Sequence, residues 1–152
     1  MSQSLVNIKI HLIFSTKNRA ACLTDASFCQ ALYGQIENIA VSVGCPAIQV
    51  GGWVDHLHSL LSLSRTMTIS ELTKEIRRRS TLWIKEQRPG WGDFSWQSGY
   101  AAFSVSQANL PAVVEYIKNQ QVHHGGGLSF QDEYRKFLQK NEVLFQERYL
   151  WA

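Results

Sequence analysis

Between Leu5 and Phe14, Val6, Ile8, Ile10, Leu12 and Phe14 alternate with Asn7, Lys9 and His11. This is the period-2 pattern of a strand with one buried face. The polar run Ser15-Thr16-Lys17-Asn18-Arg19 closes it. Phe28, Leu32, Ile36, Ile39 and Val43 then recur at helical spacing up to Gly44, a suitable stop. After Pro46, the runs Ala47 to Val54 and His56 to Ser64 are strand-like, with few polar residues between them, and predict a hairpin. Thr68 followed by Glu71 makes a capping box for a second helix, with Ile69, Leu72, Ile76 and Trp83 on one side. That helix ends near Arg88-Pro89-Gly90. Turn chemistry from Pro89 to Asp93 leads to a short apolar run, Gly99 to Val105, suited to a buried strand. Asn109 caps a third helix that tolerates Pro111 in its first turn and stops at Gly125-Gly126-Gly127. An amphipathic stretch from Ser129 to Leu138 predicts a last helix, and the remainder to Ala152 shows no clear period. The order β, α, β, β, α, β, α predicts an α+β fold: a ferredoxin-like antiparallel sheet with helices packed on one face.

Composition bounds the function classes. The chain has 152 residues, sized for one domain, and is 45% hydrophobic, 11% aromatic and 18% charged. That excludes a disordered or low-complexity chain. Fifteen Lys and Arg against 12 acids give a net charge of +3, far from a polycation, so nucleic acid stays open as a partner. Cys22, Cys29 and Cys45 are odd in number and lack a C-x-x-C, which disfavours a disulfide framework or a cysteine-based zinc knuckle. No apolar run approaches a membrane span and the first residues lack a signal-peptide pattern, so the expectation is a soluble cytoplasmic protein with no membrane partner.

Four of the five histidines fall in two tight pairs. His56 and His58 are two apart in a predicted strand, so both imidazoles project from the same face and form half a metal site. An isolated H-x-H is more often a surface or hydrogen-bonded pair. On the third helix, Tyr116 and Gln120 are four apart and share a face, with His123 and His124 one turn further on. Tyr116 either packs with Val113 and Ile117 or presents a nucleophilic phenol to a metal-bound phosphate, with Gln120 as the third ligand. The second helix carries Lys74, Arg77, Arg78, Arg79, Lys85 and Arg88, six of the chain's 15 cations, near Trp83, Trp91 and Trp96. Such a run is either a solvated helix face or a surface for phosphates and unstacked bases.

Four segments in order resemble the single-tyrosine HUH transposases of bacterial insertion sequences, the insertion-sequence 200 type, and in particular their REP-associated relatives. They are His11 to Arg19, Asp55 to Leu61 with its H-x-H, Trp96 to Tyr100, and Tyr116 to Gln120. The resemblance implies one HUH transposase domain over 1–152, with a core of about 4–124 and a C-terminal helical extension of about 128–152. It also implies a divalent metal on His56, His58 and Gln120, with Tyr116 as the nucleophile that cuts single-stranded DNA and forms a 5′-phosphotyrosine. His123 and His124, in a segment that departs from the commonest pattern, are candidates to replace or supplement Gln120. Ligand softness favours Mn, phosphate chemistry favours Mg, and the expected cofactor is Mg2+ or Mn2+. The expected partner is single-stranded DNA with a hairpin, contacted by Lys17, Arg19 and the six cations of the second helix. A homodimer is expected, with a monomer as the alternative. A non-catalytic hairpin-binding protein of the same fold is the rival function.

Overall fold

The computed structural model describes residues 2–152. Strand β1 spans Lys9–Ser15. It starts later than the alternation predicts, because its pairing with both neighbouring strands begins at Lys9, and Leu5, Val6 and Ile8 are exposed. Helix α1, Ala26–Ser42, is capped by Asp25, whose carboxylate accepts the Phe28 amide. The hairpin follows as β2, Ala47–Gly52, and β3, His56–Ser62. Helix α2, Ile69–Gln87, begins at the predicted cap, with the Thr68 hydroxyl accepting the Glu71 amide at 3.0 Å. Strand β4 is Ala101–Val105.

These elements form one antiparallel sheet of order β2-β3-β1-β4. The two βαβ units interleave, which is the ferredoxin-like arrangement expected from the element order. On one face Leu12, Phe14, Leu57 and Leu61 join Leu32, Ile36 and Ile39 of α1 and Leu72 and Ile76 of α2 in the main apolar cluster. The opposite face carries the shorter helices α3, Leu110–Lys118, α4, Gln120–Gly125, and α5, Phe130–Lys140. A last turn, α6, covers Glu147–Leu150.

Two local features set the second layer. The predicted third helix is broken at Asn119, which lies between α3 and α4 with φ −99° and ψ 25°. Gly51 in β2 lets α3 lie directly on the strand, since a Cβ there would come within 2.8 Å of the Ile117 carbonyl oxygen. That close approach carries the neighbouring Tyr116 towards β3. A smaller apolar cluster of Ile13, Ala101, Phe103, Phe130, Tyr134 and Leu138 fixes α5 against the same face.

Candidate active site

Register in the sheet brings the histidines together. His58 lies opposite Ile13 and His56 opposite Ser15, on the face away from α1 and α2, and His11 of β1 shares that face. All three imidazoles are buried. Buried polar groups cost free energy unless they are partnered, and here each ring has partners. His56 Nδ1 is 2.7 Å from Asp55 Oδ1, and His58 Nδ1 is 2.7 Å from His11 Nε2. The Asp55 carboxylate can only accept, so His56 donates from Nδ1 and its Nε2 is directed inward, the usual second layer behind a metal-binding histidine. Burial first, then the neighbouring His58, pulls the His11 pKa well below the usual value, so His11 is a neutral ring. Because the Glu133 carboxylate can only accept from His58 Nε2, His58 Nδ1 in turn accepts the Nε2–H of His11.

At the centre lies Glu133 of α5, a buried carboxylate. Its Oε1 is 3.0 Å from His58 Nε2 and 3.2 Å from His56 Nε2, and its Oε2 is 3.2 Å from His124 Nε2. Burial alone would raise its pKa, but hydrogen bonds from His124, His56 and His58 outweigh burial and hold it well below the usual carboxylate range. His56 shows the same contest: burial lowers its pKa, Asp55 and Glu133 raise it, and the net position is about 9. His58 lacks an equivalent of Asp55, and burial keeps its pKa below the usual value.

Tyr116 donates its hydroxyl hydrogen to Glu133 Oε2. Burial and this bond raise the phenol's pKa, so it is protonated at neutral pH. Gln120 Oε1 lies 3.0 Å from both His56 Nε2 and His124 Nε2, and His124 Nδ1 donates to the Leu128 carbonyl at 2.6 Å. His123 instead stacks on Tyr116, with ring centroids 4.5 Å apart.

The donor set fits a divalent cation. Nε2 of His56, Nε2 of His58 and an oxygen of Glu133 all lie within 4.8 Å of one another. Ligands at right angles around a metal with bonds of about 2.1 Å are separated by about 3 Å. The spacings of 3.0 and 3.2 Å from Glu133 Oε1 to the two histidines and of 3.0 Å from His56 to Gln120 match that value. Nitrogen and oxygen donors together suit a first-row or hard divalent ion.

The structure thus brings His56, His58, Gln120, His124 and Tyr116 to one buried spot within a single chain. Sequence reading missed Glu133, although an acid flanked at helical spacing by Phe130 and Phe137 is a charged residue in an apolar stripe, and that was a usable signal.

The expected DNA-binding cations lie elsewhere. Helix α2 is on the far face of the sheet, and several of its cations already have structural partners. Arg77 donates to the carbonyls of Gln97 and Gly99 at 2.8 and 3.0 Å, Arg79 to Ser42 Oγ at 2.6 Å, and Arg88 pairs with Asp25 at 3.0 Å over the Phe28 ring. Arg78 pairs with Glu75. Lys74 and Lys85 make no ion pair among the described residues. Lys17 is exposed and Arg19 sits over the Trp151 ring. The nearby tryptophans serve the core: Trp96 is buried and donates to Ser80 Oγ at 3.0 Å, and Trp83 stacks on Phe28.

Comparison with known proteins adds a lineage to this geometry. A solved structure of a protein from Deinococcus radiodurans R1, provisionally described as a transposase, superposes with a TM-score of 0.61 at 24% identity over 79% of this chain and 98% of that one. A REP-associated tyrosine transposase bound to a REP hairpin superposes with a TM-score of 0.59 at 18% identity over 82% of this chain and 75% of that one. No curated protein matches. Among the described residues no helix is long and apolar enough to cross a membrane. The family described as "Transposase IS200 like" matches residues 4–120, a stretch that runs from before β1 through Gln120. The chain therefore belongs to the IS200-like transposase family.

Proposed function

We propose that this transposase cuts and rejoins single-stranded DNA beside a hairpin, using Tyr116 as nucleophile and a divalent cation, Mg2+ or Mn2+, on His56, His58 and Glu133, with Gln120 and His124 alongside. One observation carries the reading: the Tyr116 hydroxyl bonds to the carboxylate that also meets both histidines, so nucleophile and cation donors share one spot. When bound there, a divalent cation polarises the scissile phosphate and lowers the cost of ionising the phenol.

The chain's own groups do the rest. Glu133 orients the phenol, and Asp55 and His11, hydrogen-bonded to the Nδ1 atoms, hold the two imidazoles with their Nε2 atoms directed inward. Tyr116 Oη attacks phosphorus as its proton passes along the hydrogen bond to Glu133, the bond from phosphorus to the upstream 3′-oxygen breaks and that oxygen takes a proton from water, and the downstream strand stays attached as a 5′-phosphotyrosine. The linkage conserves the phosphodiester's free energy, so rejoining to another 3′-hydroxyl needs no nucleotide cofactor. In this arrangement both halves of the site come from one chain. By our reading residues 1–152 work as one domain, since the extension after residue 128 supplies Glu133. Lys17, Arg19, Lys74 and Lys85, together with whatever reach Arg77, Arg78, Arg79 and Arg88 retain beyond their structural bonds, contact the hairpin.

The test is a labelled hairpin strand incubated with Mg2+ or Mn2+ and resolved on a denaturing gel. Wild-type protein gives a shifted covalent band and Tyr116→Phe gives none while retaining binding. A band from the variant overturns the nucleophile assignment, and a wild-type protein that binds without any band is a non-catalytic hairpin binder.

A further inference from the structure

Helices α3 and α5 do not close completely over the sheet. Between them runs a cleft of about 370 Å³, within the size range of small-ligand pockets, roughly 300 to 1,000 Å³. Its walls follow helical spacing. Ala112 and Val113 line one side, four and three residues before Tyr116, and Lys136, Phe137 and Lys140 line the other, three, four and seven residues after Glu133. The inner end is the Tyr116 to Glu133 hydrogen bond. Ala112, Val113 and Phe137 make an apolar floor, with the Phe137 ring held edge-on by His11 and Tyr116. Lys136 and Lys140 are exposed and make no ion pair among the described residues. The one acid in the lining, Glu133, is buried and already accepts from Tyr116, His56, His58 and His124, so it does not answer the lysines.

An apolar floor with two free cations on its rim, ending at a nucleophile, is complementary to a nucleotide: a flat base between phosphates. The reaction stereochemistry says which one. In an in-line displacement the 3′-oxygen departs on the far side of phosphorus from the phenol oxygen. The upstream nucleotide therefore points away from Tyr116, whereas the downstream nucleotide, bound through its 5′-oxygen, leaves phosphorus sideways and has room to turn into the cleft.

Resting on the nicking function proposed above, we infer that this cleft holds the first nucleotide on the 3′ side of the cut. Its base lies on Ala112, Val113 and Phe137, and Lys136 and Lys140, one helical turn apart, engage the phosphates that follow. The cleft then retains the strand that becomes attached to Tyr116 while the other end is exchanged.

The test reads binding apart from cutting. In a Tyr116→Phe background, the affinity for labelled oligothymidylate is measured by fluorescence anisotropy over a range of salt. Each phosphate contact contributes about 0.7 to the slope of log affinity against log salt for a single strand. Lys136→Ala with Lys140→Ala should lower that slope by about 1.4. Ala112→Trp, which fills the cleft from an exposed helix position, should weaken binding about tenfold, the loss of one base contact. Should Ala112→Trp fail to fold by circular dichroism, the lysine pair decides alone. Wild-type affinity and slope in the folded variants overturn the inference. The adduct assay separates it from the reading it rests on. Loss of slope without any wild-type adduct removes nicking and leaves a strand-binding cleft, whereas a normal adduct with an unchanged slope removes the cleft alone.

Discussion

One face of the sheet presents Leu12, Phe14, Leu57 and Leu61 to α1 and α2, and the other presents His11, His56 and His58 to α3, α4 and α5. Alternate residues of the same two central strands thus serve opposite tasks. On the first face nearly every contact is apolar, and each fully buried Leu or Ile contributes about 1.5–3 kcal/mol. On the second, six buried polar side chains, His11, His56, His58, Gln120, His124 and Glu133, occupy positions that apolar residues would fill in an ordinary domain. Each would cost about 1–3 kcal/mol unpartnered. Their cost is met by bonding to one another, which makes the second face conditional on geometry in a way that the first is not. Stability therefore draws on both faces, whereas the proposed chemistry draws on one, and mutation can tell them apart.

The largest separation should come from truncating one central residue on each side. His58→Ala removes one of the proposed cation donors without touching the α1 and α2 cluster. Adduct formation by the folded fraction should fall roughly a thousandfold, about 4 kcal/mol of transition-state stabilisation, and the thermal midpoint should fall too, because the buried ring leaves a cavity and takes a partner from His11 and Glu133. Leu61→Ala loses stability alone, about 2–5 kcal/mol, while the folded fraction still binds Mn2+ normally. Calorimetric metal titration and thermal denaturation of both variants give four readings. If His58→Ala retains wild-type cutting, the assignment of this face to chemistry fails.

The two faces also differed in how readable they were. The first was legible from periodicity, because α1 and α2 place Leu32, Ile36, Leu72 and Ile76 at helical intervals against strand residues two apart. Even the Thr68 cap fell where the sequence puts it. On the second face, His56, His58, Tyr116 and Gln120 were visible as short-range spacings given meaning by the family resemblance. Glu133 showed only as an acid in an apolar stripe, because it is 75 residues from His58 and nothing local names partners that far away. His11 read as the polar side of a half-exposed strand, yet that side is the floor of the site. The cationic run on α2 showed the converse limit. Composition located the charges, but only tertiary contacts reveal that Arg77 and Arg88 are spent on the Gln97 to Gly99 carbonyls and on Asp25.

A smaller effect probes the layer behind the proposed ligands. Asp55→Asn keeps the side-chain shape but removes the carboxylate that fixes the His56 ring. Replacing such a partner typically costs 10- to 100-fold in metal affinity, about 1.4–2.7 kcal/mol. Mn2+ titration should show that loss with the apolar face unaffected. Unchanged Mn2+ affinity would mean that the carboxylate's charge adds nothing at His56, an amide oxygen accepting from Nδ1 as well.

The smallest effect makes the sharpest comparison, because the same chemical change can be made once on each face. Thr68 caps α2 and Ser129 caps α5, each through an exposed hydroxyl accepting the amide three residues on, at 3.0 and 3.1 Å. Replacing either by Ala should cost about 1 kcal/mol and lower the thermal midpoint by roughly 2–4 °C. The consequences beyond stability should diverge. Thr68→Ala loosens the start of a helix that holds only apolar contacts at that end, so Mn2+ affinity should stay at the wild-type value. Ser129→Ala frays the first turn of α5, and Glu133 is the fourth residue of that helix, so Mn2+ affinity should fall a few-fold for the same loss in midpoint. Equal midpoint shifts with equal, unaltered Mn2+ affinities would show that Glu133 is held by its three histidines and Tyr116 rather than by the helix that carries it.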